Sequence, residues 1–148
     1  MSDYAIGALV RPDAIAVALA HAFNVSPSQV TVMPHDLFTR PDDIWPDAEF
    51  VIDVNNDDPS PGDYPLSVSV WGADDREPEA SSLAVELGVP ILIGADVEEY
   101  DGFELHLPDG SRHLVSVEQD DDGGIRNTPE MRRLIASATA TAQAARAA

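Results

Sequence analysis

Phe103-Glu104-Leu105-His106-Leu107-Pro108-Asp109-Gly110-Ser111-Arg112-His113-Leu114-Val115 carries the strongest local signal in the chain. Pro108 and Asp109 suit the central positions of a type I turn, and Gly110 suits the left-handed position after it. A three-residue loop therefore joins two short strands, pairing Leu105 with His113 and Phe103 with Val115. That register collects Phe103, Leu105, Leu107, Val115 and Val117 on a core face and leaves Glu104, His106 and Arg112 outside. A two-residue loop would mix apolar and polar side chains on both faces, so the hydrophobic pattern selects three. The sheet is expected to be antiparallel here, and the rest of the fold is built outward from this hairpin.

Upstream, Val89 to Ile93 is apolar on both faces and reads as a central strand covered on both sides. Before it, Pro78 opens a helix whose stripe is Ala80, Leu83, Ala84 and Leu87, with Gly88 suited to its C-terminal cap. Leu66 to Trp71 alternates, with Leu66, Val68 and Val70 inward and Ser67, Ser69 and Trp71 outward. Glu49 to Val54 is its antiparallel partner. Further upstream, Val30 to Met33 reads as a strand and Tyr4 to Val10 as a first strand or an early helical turn. Between them Pro12 and Asp13 begin a helix with Ile15, Leu19, Ala22 and Phe23 as its core stripe. The opposite face carries Asp13, Val17, His21 and Asn24.

Downstream of the hairpin, Asp120-Asp121-Asp122-Gly123-Gly124 forms a turn and Thr128-Pro129 starts a helix with Met131, Leu134, Ile135 and Ala138 as its stripe. The predicted architecture is α+β: a mostly antiparallel sheet of six or seven strands with three helices packed on it. Residues 1–136 read as one domain, and residues 137–148 as an Ala/Thr-rich helical extension or a frayed tail.

The 148 residues hold 27 Asp and Glu against 8 Arg, no lysine and no cysteine, for a formal charge of −19. Missing cysteine excludes a disulfide framework, a thiolate metal site and a thiol nucleophile. An apolar content of 44% suits a globular core and argues against a disordered acidic tail. No apolar run reaches the ~20 residues of a membrane span, and Met1 to Asp13 lacks a signal-peptide pattern, so the expected location is cytoplasmic. So negative a surface repels nucleic acid. Three causes compete for the charge: a basic partner, a high-salt environment and G+C-rich coding bias, the last accounting better for absent lysine than for 18 Asp. From Gly124 onward the chain carries four Arg and one Glu, so all but one of the acids belong to the first 123 residues.

The motifs exclude more than they assign. Asp53-Val54-Asn55-Asn56-Asp57-Asp58 begins like a calcium loop but has Asp58 where the sixth-position glycine belongs and Tyr64 in place of the twelfth-position glutamate. An EF-hand is excluded, while weak calcium binding by these carboxylates stays open. No nucleophile elbow or phosphate-cradling loop is present, the four histidines have no metal spacing, and no carboxylate pair stands out. His113, near the hairpin tip, reads as a partly buried hydrogen-bonded residue. The expectation is a non-enzymatic protein with no catalytic residues, cofactor or metal. The aromatic residues say more: Trp45 lies between Asp42-Asp43 and Asp47-Glu49, and Trp71 is followed by Asp74-Asp75. Aromatic anchors ringed by acids suit an interface with a basic protein, although both tryptophans also fit a core edge.

Asp63-Tyr64-Pro65-Leu66-Ser67-Val68-Ser69-Val70-Trp71, then Leu87-Gly88-Val89-Pro90-Ile91-Leu92-Ile93, then Leu107-Pro108-Asp109-Gly110 resembles the small acidic immunity-type proteins found beside polymorphic toxins, especially in actinobacteria. The resemblance covers residues 49–118. It implies an α+β fold and a cytoplasmic inhibitor of a toxin, often a basic nuclease. The candidate partner-binding residues are Asp42, Asp43, Trp45, Asp57, Asp58, Trp71, Asp74 and Asp75. A nucleic-acid mimic, a component of a larger assembly, and a small-ligand protein whose acidity is environmental are the alternatives.

Overall fold

The computed structural model describes residues 2–34, 49–72, 80–94 and 102–147. Within them, nine strands and three helices occur in the order β1 (Ser2–Ile6), α1 (Pro12–Phe23), β2 (Val30–Val32), β3 (Phe50–Val54), β4 (Leu66–Gly72), α2 (Ala80–Leu87), β5 (Ile91–Gly94), β6 (Phe103–His106), β7 (Arg112–Val115), β8 (Glu118–Gln119), β9 (Ile125–Arg126) and α3 (Pro129–Ala147). The first seven strands form one sheet in the order β2-β3-β4-β1-β5-β6-β7, antiparallel except for β2 beside β3. β8 and β9 form a small separate hairpin. The fold is α+β.

The β6–β7 hairpin has the register required by its turn, with Leu105 opposite His113 and Phe103 opposite Val115. Gly110 has φ +88, and its N–H donates to the Leu107 carbonyl at 2.9 Å. β3 and β4 pair antiparallel from Phe50↔Gly72 to Val54↔Val68. β1 lies at the centre of the sheet, bonded to β4 on one side and β5 on the other.

The strand alternation divides the apolar residues between two layers. On one face Tyr4, Ile6, Phe50, Ile52, Val54, Leu66, Val68, Val70 and Ile91 pack under α1 and α2. Helix α1 approaches closely because Ala16, Ala18 and Ala20 accompany Ile15, Leu19 and Phe23 among its buried residues. It starts with Pro12, whose missing N–H costs nothing at that position, and stops at Asn24 with φ 58. On the other face Leu92, Leu105, Leu107 and Val115 join Tyr64 under Met131 and Ala138 of α3. β5 thus supplies Ile91 to one core and Leu92 to the other, covered on both sides as its unbroken apolar sequence requires. Helix α3 continues through the Ala/Thr-rich region to Ala147, and its Arg146 donates to the Val85 carbonyl of α2 at 3.4 Å.

One feature of the hairpin differs from the sequence reading. Glu104 and His106 are not both outside: they share the face of Ile91, where His106 is 4% exposed and Glu104 half-buried. Helix α2 reaches past β5 and covers the end of β6, which converts the polar face of the hairpin into a half-covered notch. Only Arg112, on the edge strand, is exposed as expected.

Candidate functional site

Two arrangements combine residues that are distant in sequence. The first is acidic. Asn55 closes the loop between β3 and β4: its side chain donates to Ser60 Oγ and the Pro65 carbonyl at 3.2 Å each and accepts from the Ser67 N–H at 2.7 Å. This loop is then joined to the β8–β9 hairpin. Gly62 bridges to Ile125, the Asp63 N–H donates to the Ile125 carbonyl at 2.8 Å, and the Asn127 N–H donates to Asp63 Oδ2 at 2.8 Å. The Tyr64 hydroxyl donates to Asn127 Oδ1 at 2.7 Å, and burial beside Asp63 raises the Tyr64 pKa, keeping that hydroxyl a donor.

The two loops so joined carry Asp57, Asp58 and Asp63 on one side and, with the short strands they connect, Glu118, Asp120, Asp121 and Asp122 on the other, with Arg126 as their single basic residue. Arg126 is held by Asp120, which raises its pKa, and lies 3.9 Å from Asp63. Asp57, Asp58, Asp121 and Asp122 are exposed.

Of the other residues selected from sequence, Trp71 is half-buried on the face opposite Val70, paired with the buried Val51. Asp42, Asp43 and Trp45, and also Asp74 and Asp75, lie outside the described residues. Asp53 is half-buried within β3, so the stretch resembling a calcium loop is divided between a strand and a turn. Among the described residues no three His, Asp or Glu side chains are grouped to hold a metal ion, and no helix is long and apolar enough to cross a membrane.

The second arrangement was not anticipated from sequence. Where the first described residues of α2 lie over β6, a cleft of about 490 Å³ is lined by Ala80, Ser81, Ile93, Glu104, His106, Gly110 and Arg112. Ser81 Oγ hydrogen-bonds His106 Nδ1 at 2.7 Å. On the other side of the ring, Nε2 lies 2.8 Å from Glu104 Oε1, but obliquely, so this buried nitrogen has no aligned hydrogen-bond partner. Arg112 stands 3.7 Å from the same carboxylate at the mouth of the cleft. The other two described histidines lack such a setting: His113 is half-buried with Nε2 3.3 Å from Ser111 Oγ, and His21 is exposed on α1 in contact with Glu86 of α2, while His35 lies outside the described residues.

Burial lowers the His106 pKa from its ordinary 6.5; Glu104 acts in the opposite direction and Arg112 adds to the lowering. The imidazole is neutral at pH 7. In the unfolded chain it takes up a proton as pH falls through about 6.5, whereas in the fold it resists. The stability contributed by His106 is therefore complete above pH 6.5 and is lost as pH falls toward its lower folded value. Urea denaturation of the wild type and of His106→Gln, which cannot titrate, isolates this effect from the general relief of acidic repulsion. The wild-type advantage is expected to shrink between pH 7.5 and pH 5; an advantage that grows in acid contradicts a neutral, buried His106.

Compared with known proteins, the chain matches no family model, no curated protein and no solved structure.

Proposed function

We propose that this chain is an acidic binding protein that covers a basic partner protein, in the manner of an immunity-type inhibitor. The reading rests on one observation: two acid-rich loops more than fifty residues apart are fastened side by side through Gly62, Asp63, Ile125 and Asn127. Solvated turns have no need of such fastening. A surface that must meet complementary charge in a fixed pattern does, because ordering the loops beforehand avoids that cost at binding. The seven acids and one arginine of this element also give an attractive field that speeds encounter with a cationic surface. Glu104 and Asp109 add negative charge elsewhere, so the field is broad while the paired loops supply the pattern.

The partner is a basic protein rather than nucleic acid, whose phosphates this surface repels. Capture of such a partner from native lysate is expected at about 50 mM salt and lost at about 500 mM, where the Debye length falls to a few ångström. Combined Asp57→Arg, Asp58→Arg and Asp121→Arg substitution is expected to slow association at low salt by roughly tenfold or more through the lost field, and to speed dissociation through the lost contacts. An unchanged association rate in that variant contradicts the role given to the loops.

A further inference from the structure

We propose that Ser81 is an acyl-accepting nucleophile, with His106 as its base and Glu104 positioning the imidazole, in a cleft that takes short-chain carboxylic esters. This goes beyond the binding role and does not depend on it. The three residues come from two elements, Ser81 from the first turn of α2 and Glu104 and His106 from alternate positions of β6. The strand period places both β6 side chains on one face, and α2 crosses above them. The result is a continuous series: Ser81 Oγ to His106 Nδ1 at 2.7 Å, then His106 Nε2 to Glu104 Oε1 at 2.8 Å. Those are the separations required between a nucleophile, its base and the group that orients the base.

The assignment of the ring nitrogens follows from the partners. Nδ1 accepts from the Ser81 hydroxyl, so Nε2 carries the hydrogen and faces a carboxylate, which favours this tautomer and the imidazolium formed during reaction. His106 is nine-tenths buried and its Nε2 is without an aligned acceptor. A Glu104 contact that straightens when the cleft is filled would complete the series, as catalytic hydrogen bonds often do on substrate binding. Beside these groups the cleft offers apolar wall from Ala80 and Ile93 for a short acyl chain.

In the reaction the Ser81 oxygen bonds to the ester carbonyl carbon while its proton passes to Nδ1. Collapse of the tetrahedral adduct breaks the carbon–alkoxy bond, and the alcohol leaves with the proton from Nδ1. Water then attacks the seryl ester, giving its proton to Nδ1. The second collapse breaks the carbon–Ser81 bond, returns that proton to Ser81 and releases the carboxylic acid.

The test uses the full chain with a fluorophosphonate probe and p-nitrophenyl acetate. Expected is a single adduct at Ser81 by peptide mass spectrometry and ester turnover that falls roughly a hundredfold or more in Ser81→Ala and in His106→Gln. Glu104→Gln is expected to lower kcat while leaving KM near its wild-type value, the mark of a positioning residue; a purely structural Glu104 would move stability alone. Absence of an adduct on the folded wild-type chain, or equal turnover by wild type and a folded Ser81→Ala, overturns the proposal and leaves Ser81 as a hydrogen-bond partner of a core histidine. Because the adduct is read on the wild type, a variant that fails to fold does not remove the test.

Discussion

Phe50→Ala is expected to remove about 3–5 kcal/mol of stability, the loss typical of deleting a buried aromatic ring. Phe50 is 1% exposed and stacks on Phe23 of α1 with ring centroids 3.8 Å apart and planes 6° from parallel. It also stands where β2, β3 and β4 meet, opposite Val30 on one side and Gly72 on the other. Gly72 has no side chain to fill the space, so the loss of the ring leaves a cavity between helix and sheet. Domains of this size are stable by only about 5–15 kcal/mol, and the variant should therefore retain a fraction of its original margin. With a urea slope of about 1–3 kcal/mol/M, the midpoint is expected to fall by one molar or more at unchanged slope. Val85→Ala is the control: Val85 is 43% exposed, and its loss should change stability by no more than about 0.5 kcal/mol. A Phe50→Ala midpoint close to that of the control would show that Phe23 and α1 settle into the vacated space.

The elements on which this argument rests were legible because each is specified by its own neighbours. Leu66 to Trp71 alternates with period two, Pro12 marks the start of α1, and Pro108-Asp109-Gly110 fixes a register. The strand order was not legible, because insertion of β1 between β4 and β5 depends on pairings some sixty to ninety residues away. The small β8–β9 hairpin was read as a turn alone, since its two-residue strands carry no alternation.

The site residues divide in the same way. Glu104 and His106 could be placed on one face by their spacing, but polarity alone assigned that face to water. What buries that face is the pairing of His106 with Ile91, a register between strands that no local pattern carries. Any helix covering Ile91 is wide enough to reach the next strand, and it brings Ser81 with it. Convergence of the acidic loops left still less trace. Charge runs at 57–58 and 120–122 look alike whether their loops touch or not, and only the glycines beside them, Gly62 and Gly124, hint at a close approach of backbone.

That approach is what Gly62→Ala is expected to break, at a cost of about 2–4 kcal/mol from a strained backbone and a lost hydrogen bond. Gly62 has φ +98, and a Cβ there would lie 2.5 Å from the Ile125 carbonyl oxygen and 2.8 Å from its nitrogen. Both obstacles are backbone atoms, so no side-chain rotation relieves the clash and the two loops must separate. Hydrogen exchange is expected to show the change locally: the Asp63 amide, bonded to the Ile125 carbonyl, and the Asn127 amide, bonded to Asp63, lose protection. The amides of β3 and β4 should keep theirs. The substitution leaves every charge in place, which makes it a separate measurement from the aspartate reversals. If the acids act only through their summed field, a folded Gly62→Ala binds a basic partner at the wild-type rate. If their relative placement matters, the complex dissociates faster while the salt dependence of association stays the same. Persistence of both amide protections would mean that the loops tolerate the added carbon and that Gly62 does not hold them together.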